Sequence, residues 1–487
     1  MKKFYITTAI PYANAKPHIG TAMDYLYGDI LLRYQLARGG EALLSVGTDE
    51  HGTKVAEKAA AGDQSPQEFV DSLQPHFIEM RDKLNLDFDH IRSVRTTDQA
   101  HVTRVQEIWR RLDQAGLIYR STYEGWYCIG CESFVTESEA RAMNFICRDH
   151  QKPLEKLSED NYYLAVSKYT DQIREFIKTA VVPEFRGREL LDLIKDGAKD
   201  VSISRPADKL QWGIPVPGDD SQVMYVWVDA LSNYLTVIGY PETDEYQDFW
   251  PADVEIVGKD IARFHAIIWP AMLLGLDLEL PKRLMIHGFI NVGGAKMSKT
   301  VGNVVSPLDI IENYGSDAFR YYFARHISTF EDGDFTWEKF EAAYNGELAN
   351  DLGNLVSRVA NMAKKYLSAD LSGVPAVDHQ PTKFDEAVND LRLSDAMNEV
   401  WLRIQAANKF VDDEKPWQLA KDGSNEQLTN VMHTLIADIR IIADELAPFL
   451  PETADKIKAI FGGTTMPNDT PILFPKKYLH TPDPTKK

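Results

Sequence analysis

Cysteine is scarce in this 487-residue chain: there are three, and all fall between positions 128 and 147. So few thiols exclude a disulfide-stapled scaffold and suit a reducing compartment, the cytoplasm. No apolar run approaches ~20 residues, so no segment is expected to span a membrane. The opening MKKFYITTAIPYANA superficially imitates a signal peptide, but its apolar run is short and broken by Thr7, Thr8 and Pro11. Positive charge is the minority sign, with 53 Lys and Arg against 73 Asp and Glu, a net charge of −20. That argues against a uniformly basic nucleic-acid binder but leaves room for a local basic face. Two clusters qualify: Arg92, Arg95, Arg104, Arg110 and Arg111, then Arg186, Arg188, Lys195, Lys199, Arg205 and Lys209. Solvated helix faces would look the same. Internal repeats and low-complexity tracts are also missing.

What is present is an ordinary globular composition, 44% hydrophobic and 26% charged, in a chain long enough for two to four domains. KFYITTAI reads as a buried strand, followed by a loop to Gly20 and a helix from about Thr21 to Ala37, ended by Gly39-Gly40. ALLSVG (42–47) is a second strand, and helical patterns run through 66–84 and 98–115. This alternation predicts a parallel α/β sheet. From about 119 to 222 the rhythm breaks, and the segment reads as an insertion ending in WGIPVPGDD. The α/β pattern resumes with VMYVWVDA and VEIVGKD, then a helix through IARFHAIIWPAMLLGL, bent at Pro270, and a strand with a turn in LMIHGFINVGG. Beyond about residue 345 only helical periodicity remains, as in Leu393, Met397, Val400, Ile404, Ala407 and Val411, which predicts a helical bundle.

Three constellations carry chemistry. Residues 10–21 form a strand-to-helix turn that puts His18, Gly20 and Thr21 at the carboxyl end of the sheet, where α/β folds bind nucleotides. The helix N-terminus there offers free N–H groups to phosphate. A plain strand–helix loop would use similar residues. Far downstream, GGAKMSKT (293–300) sets Lys296 and Lys299 on a glycine-started loop, three residues apart, so both can meet one triphosphate. Cys128-x2-Cys131-x15-Cys147-x2-His150 gives four soft ligands in two close pairs, the pattern of a tetrahedral structural zinc site. Three unrelated core thiols are the alternative.

Together with these, TDEHGT (48–53), YVWVDAL (225–231), GKDIARFHAIIWPAML (258–273), DLGNLVSR (351–358) and KPWQLAK (415–421) occur in an order that resembles the class I aminoacyl-tRNA synthetases, and among them the methionine-specific group. IPYANAKPHIG is similar to the family's first signature and KMSKT to its second, with Thr300 as a familiar variant of serine. The departure is Thr21, where the first signature has a second histidine. Its hydroxyl can donate to phosphate but brings no imidazole, which implies a working but weakened activation site.

The resemblance implies a Rossmann-type parallel-sheet catalytic domain (1–118 and 223–300), a connective insertion with a zinc knuckle (119–222), a stem-contact region (301–345) and an α-helical anticodon-binding bundle (346–487). The implied reaction joins L-methionine and ATP, carried with Mg2+, into methionyl-adenylate, then passes the methionyl group to the 3'-terminal adenosine of tRNA(Met), initiator and elongator. His18, Thr21, Lys296 and Lys299 would act on the phosphates. Ile10, Tyr12, Asp49, Trp227, Ala230, Leu231, Tyr234, Ile261 and His265 would hold methionine, with Asp49 on the ammonium group and Tyr12 and His265 near the sulfur. His18, Gly20, Thr21, Asp24, Gly258, Asp260, His287, Gly288, Lys296, Met297, Ser298 and Lys299 would hold ATP, with Asp260 on the ribose. Cys128, Cys131, Cys147 and His150 would bind zinc, and Asn354, Arg358 and Trp417 would read the anticodon.

Other readings are a zinc-containing tRNA-binding paralogue with impaired catalysis, a nucleotidylyltransferase for a small substrate, or another class I synthetase. The intact lysines and pocket set weigh against the first, and the bundle residues against the second. For the third, branched-chain enzymes would need a large editing insertion that finds no room here. The chain's end soon after the bundle leads to the expectation of a monomer.

Overall fold

The computed structural model describes residues 3–129, 133–148, 151–296, 305–377 and 380–481. Its centre is a six-stranded parallel sheet. In chain order the strands are β1 (Lys3–Thr8), β2 (Glu41–Thr48), β3 (Ile91–Arg95), β4 (Val181–Val182), β5 (Val254–Gly258) and β6 (Leu284–His287). They lie side by side in the order β3-β2-β1-β5-β6-β4, all neighbours parallel. The order reverses beside β1, and such a switch point opens a crevice at the strands' carboxyl ends.

The central strands are mostly buried because both faces are covered, whereas the edge strand β3, IRSVR, alternates and is only partly buried. Ile6, Leu44, Ile256 and Met285 face one core, which continues through the crossover helix α1 (Ile19–Ala37) into the C-terminal helices. Val257, Leu284 and Ile286 face the other, beneath α2 (Gln99–Gln114) and α3 (Val226–Thr236). α1 starts two residues before the expected Thr21.

Two expected elements differ. VMYVWVDA adds no strand to the large sheet: its first residues end a short antiparallel strand, Asp219–Met224, and Val226 opens α3. Almost every residue of α3 is buried, and its polar positions, Asp229, Ser232, Asn233 and Thr236, begin only after the apolar Val226-Trp227-Val228, which reads as a continuation of the strand. Within the segment 119–222, Val181–Val182 joins the large sheet as its edge strand β4. The rest of it holds two small antiparallel sheets, the larger built on Ile118–Cys128 paired with Glu155–Leu164. At Pro270 the chain makes a π-helical turn, Phe264–Ile268, and then an α-helix, Trp269–Gly275, with the proline near its start, where its missing N–H costs nothing.

Beyond β6, α4 (Pro307–Tyr314) and α5 (Ser316–Arg325) lead to the bundle, whose long members include α6 (Asn354–Tyr366), α7 (Leu393–Glu414) and α9 (Asn425–Leu446), with the short α8 (Pro416–Asp422) between the last two. One buried guanidinium joins sheet and bundle. Arg320 on α5 donates to the carbonyls of Phe449 (2.6 Å), Pro448 (2.9 Å) and Leu84 (3.2 Å) and pairs with Asp29 of α1 at 2.7 Å. Asp29 also accepts from Arg33 and from the Asp87 N–H, so every group in the knot has a partner. Removing one partner strands the rest in a dry interior. Arg320→Ala is expected to lower unfolding free energy by about 3–5 kcal/mol in urea denaturation, whereas a loss under about 1 kcal/mol would contradict this account.

Candidate functional site

A cleft of about 880 Å3 opens at the carboxyl ends of β1, β2, β5 and β6. It is lined by Ile10, Tyr12, Asp49, Trp227, Ala230, Leu231, Tyr234, Ile261 and His265, and also by His18, Gly20, Thr21, Asp24, Gly258, Asp260, His287 and Gly288. Segments from five separate parts of the chain thus meet at one place.

Asp49 is positioned by extending the β1–β2 pairing past the strand ends. Tyr12 and Asp49 form a parallel bridge, Asp49 N–H donates to Pro11 O at 2.9 Å, and Ala13 N–H donates to Asp49 O at 2.7 Å. The next residue, Glu50, is buried, and its carboxylate accepts from Arg95 at 2.9 Å and from Thr48 at 2.7 Å.

The aromatic wall comes from α3 and the π-turn. Trp227 stacks on Phe264 with centroids 3.8 Å apart, and His265 meets the edge of Trp227. His265 Nδ1 faces the carbonyl of Ile261 at 3.1 Å, so it carries the hydrogen. Nε2 is then the acceptor for the Tyr234 hydroxyl at 2.7 Å. Burial pushes the His265 imidazole down to about 4, so it is neutral at physiological pH.

On the α1 side of the cleft, His18 precedes the helix in extended conformation with its ring lying over the first turn. A Cβ at Gly20 would come within 2.8 Å of His18 Cε1, so glycine makes room for the imidazole over the helix N-terminus. At Gly258 a Cβ would come within 2.9 Å of the Asp260 carboxylate. His287 Nε2 lies 2.8 Å from Asp24, and its Nδ1 lies 2.9 Å from Gly288 O. Burial opposes a charged His287, but Asp24 outweighs it and holds the imidazole above its ordinary value. Lys259, inside the GKD motif, is taken by Asp332 at 2.6 Å.

Lys296 ends the hairpin of Ile290–Val292 with Ala295–Lys296, while Met297, Ser298, Lys299 and Thr300 lie outside the described residues. Ser306 and Asp309 also line the cleft. Of the proposed zinc ligands, Cys131 and His150 also lie outside the described residues. Cys128 and Cys147 are both buried in one small cluster with Ala140 and Leu154. Each begins a tight reversal: Cys128 pairs with Ser133, and Cys147 exchanges hydrogen bonds with Lys152 and Gln151.

In the bundle, Trp417 on α8 is 44% exposed, and Asn354 is exposed at the start of α6. Arg358 reaches Asp412 at 2.8 Å. The core tryptophan of this region is Trp401. The arginines of the first basic cluster each face a carboxylate: Arg92 faces Glu245, Arg95 faces Glu50 and Asp71, Arg104 faces Glu242, and Arg110 and Arg111 face Glu107.

Sequence reasoning missed the buried His51–Asp229–His101 chain and the cleft-lining Asn14, Lys16, Lys54, Ser306 and Asp309. His51 and Asp229 lie inside quoted motifs, TDEHGT and YVWVDAL, but nothing in the sequence points to His101.

The neutral His265 has a consequence for stability. The unfolded chain takes up a proton near pH 6.5 that the native imidazole refuses until about pH 4, so this group weakens the fold as pH falls through that window. His265→Gln is expected to lose less stability than the parent between pH 6.5 and 4.5 in urea midpoints. Parallel profiles for the two proteins would contradict the assignment.

A family model described as tRNA synthetases class I (M) matches residues 4–360. Methionine--tRNA ligase of Clostridium acetobutylicum is 42% identical over 477 residues, covering 94% of this chain and 73% of that protein. The protein of the same name from Nostoc is 39% identical, covering 94% of this chain and 89% of its own length. Mycobacterium tuberculosis methionyl-tRNA synthetase in complex with methionyl-adenylate superposes with a TM-score of 0.89 at 34% identity, over 97% of this chain and 100% of that one. Its apo form gives a TM-score of 0.83 at 31% identity, over 98% and 99% of the two chains. A cleft gathered from the family's own motifs agrees with these matches, and the chain belongs to the class I tRNA synthetases of the methionine type, the methionine–tRNA ligases.

Proposed function

We propose that the cleft carries out both steps of the family's reaction, with its two halves divided between methionine and ATP. The chain activates L-methionine with ATP, releasing pyrophosphate, and passes the methionyl group to tRNA. The observation that supports the division of labour is the gathering of the methionine and adenosine candidates around one cavity.

In the first step the nucleophile is already a carboxylate, so little proton transfer is needed. Catalysis rests on positioning and on stabilising charge that grows on the phosphates. Asp49 holds the ammonium group. Trp227, Ala230, Leu231, Tyr234 and Ile261 enclose the unbranched side chain, which suits sulfur–aromatic contacts. Because His265 Nε2 already accepts from Tyr234, the pair presents a neutral, preorganised polar group to a thioether. Gly258 lets the protein backbone approach the adenosine, and Asp260 accepts from the ribose. His18, Thr21 and the start of α1 meet the phosphates from one side, and Lys296 and Lys299 meet them from the other. Magnesium enters with ATP as part of the substrate. In the second step a ribose hydroxyl of the tRNA's terminal adenosine attacks the methionyl carbonyl, the acyl–phosphate bond breaks and AMP leaves, while Asn354, Arg358 and Trp417 contact the anticodon by amide, guanidinium and stacking contacts.

The zinc reading rests on the donors. Cys128 and Cys147 bring two soft thiols to adjacent turns in one buried cluster, and Cys131 and His150 would complete a Cys3His set. Zinc there cross-links the lobe and takes no part in the reaction. Metal analysis is expected to find one zinc per chain, and Cys147→Ser is expected to lose it and lower the lobe's melting temperature. A purified protein without zinc would contradict the reading.

The functional test is ATP–pyrophosphate exchange against the standard amino acids. Only methionine is expected to drive it strongly, and Thr21→His is expected to raise the rate by roughly tenfold, the worth of one charge-assisted hydrogen bond. Absence of methionine-dependent exchange in the parent protein would contradict the reading.

A further inference from the structure

We propose that the buried chain His51–Asp229–His101 is a positioning device that fixes the separation between Asp49 and the aromatic wall of α3, and so sets the length of side chain the pocket accepts. This rests on the reading of the cleft as the methionine site.

Asp229 uses each carboxylate oxygen for a different imidazole: Oδ2 lies 2.7 Å from His51 Nδ1, and Oδ1 lies 2.7 Å from His101 Nε2. All three side chains are buried, Asp229 and His101 to within 1% of complete. Burial works against the carboxylate, yet the two imidazoles keep it below the ordinary range. An ionised group is therefore maintained in a dry place that plain apolar packing between α2 and α3 could have filled. Buried ionic groups of this kind add little net stability and are retained where they impose one arrangement.

The arrangement imposed is the rotation of α3. His101 grips the helix twice, at Asp229 in its first turn and at Thr236 in its last position, where Nδ1 lies 2.7 Å from the hydroxyl. Residues seven apart share a helix face. Trp227, Ala230, Leu231 and Tyr234, which line the cleft, occupy the opposite face. Holding the back of α3 therefore aims its front.

The other end of the chain holds the loop that carries Asp49. His51 is two residues beyond Asp49, and its neighbours are held as tightly. Trp212 Nε1 donates to Glu50 O at 2.7 Å, Glu50 N–H donates to Thr96 at 2.9 Å, and Gly52 N–H donates to Trp212 O at 3.0 Å. The Trp212 ring closes edge-on against His51, with centroids 5.2 Å apart. From this clamped loop, His51 reaches α3 at Asp229. Neither Asp229 nor His101 lines the cleft, so their role is positioning rather than substrate contact.

The test is pyrophosphate exchange with methionine and with ethionine, its S-ethyl analogue, in Asp229→Asn, His101→Leu and His101→Gln. A displacement near 1 Å at the reacting groups costs up to about a hundredfold, so Asp229→Asn and His101→Leu are expected to raise KM for methionine by about tenfold or more. KM for ATP should stay within about twofold, and the preference for methionine over ethionine should fall. His101→Gln retains a donor for Asp229 and should recover most of the loss. Equal rises in both KM values, or an unchanged methionine-to-ethionine ratio, would overturn the proposal. If His101→Leu does not fold, Asp229→Asn carries the same comparison. Asp49→Asn separates the two failures: wild-type methionine KM in that variant would overturn the site reading itself.

Discussion

Asp24 and His287 meet across the floor of the cleft, one on the first turns of α1, the other at the end of β6. Both nitrogens of His287 face acceptors, so the pair holds a proton that neither water nor a mobile side chain needs to supply. This contact fixes the N-terminus of α1 against the strand ends. His18 over Gly20, the free N–H groups behind it, and Gly258 with Asp260 all take their places from that alignment. A crevice at a switch point exists in any such sheet, but the pair turns it into a site with defined edges.

α1 also carries the site's alignment to the far end of the molecule. One turn beyond Asp24 its surface is buried, and Asp29 enters the Arg320 knot with the bundle's Pro448 and Phe449 carbonyls. At its C-terminal end, Tyr34 donates to Asp385 at 2.9 Å, and Arg38 pairs with the same carboxylate. A single apolar core runs from Ile6 through α1 to the bundle. The α1 end of the cleft and the bundle that carries the exposed Trp417 are therefore parts of one packed body.

Much of this was legible in the residues because each piece was locally signed. Strand β1, α1 and β2 follow from apolar runs and their glycine stops, and the bundle follows from its three-and-four spacing. Thr21 and His18 were readable as a turn because a strand ends and a helix begins between them. What failed was legible only in three dimensions. α3 was hidden because its apolar opening, Val226-Trp227-Val228, continues the preceding strand's run, and its polar face turns inward rather than to solvent. β4 is two residues long and owes its place to the sheet edge, which no local pattern records. His101 is an ordinary residue on an amphipathic helix until Asp229 arrives opposite it, and Arg320 is one arginine among many until three separate segments close around it. Long-range polar contacts of this kind leave no periodicity behind.

The central claim is that one cleft at the carboxyl edge of the sheet aligns both substrates. A crystal structure with a non-hydrolysable methionyl-adenylate analogue tests it most directly. The account predicts the ammonium group on Asp49, the thioether against Trp227 and the Tyr234–His265 pair, and the ribose on Asp260. An analogue bound outside this cleft, or seated in it with its ammonium group away from Asp49 and its ribose away from Asp260, would contradict the account.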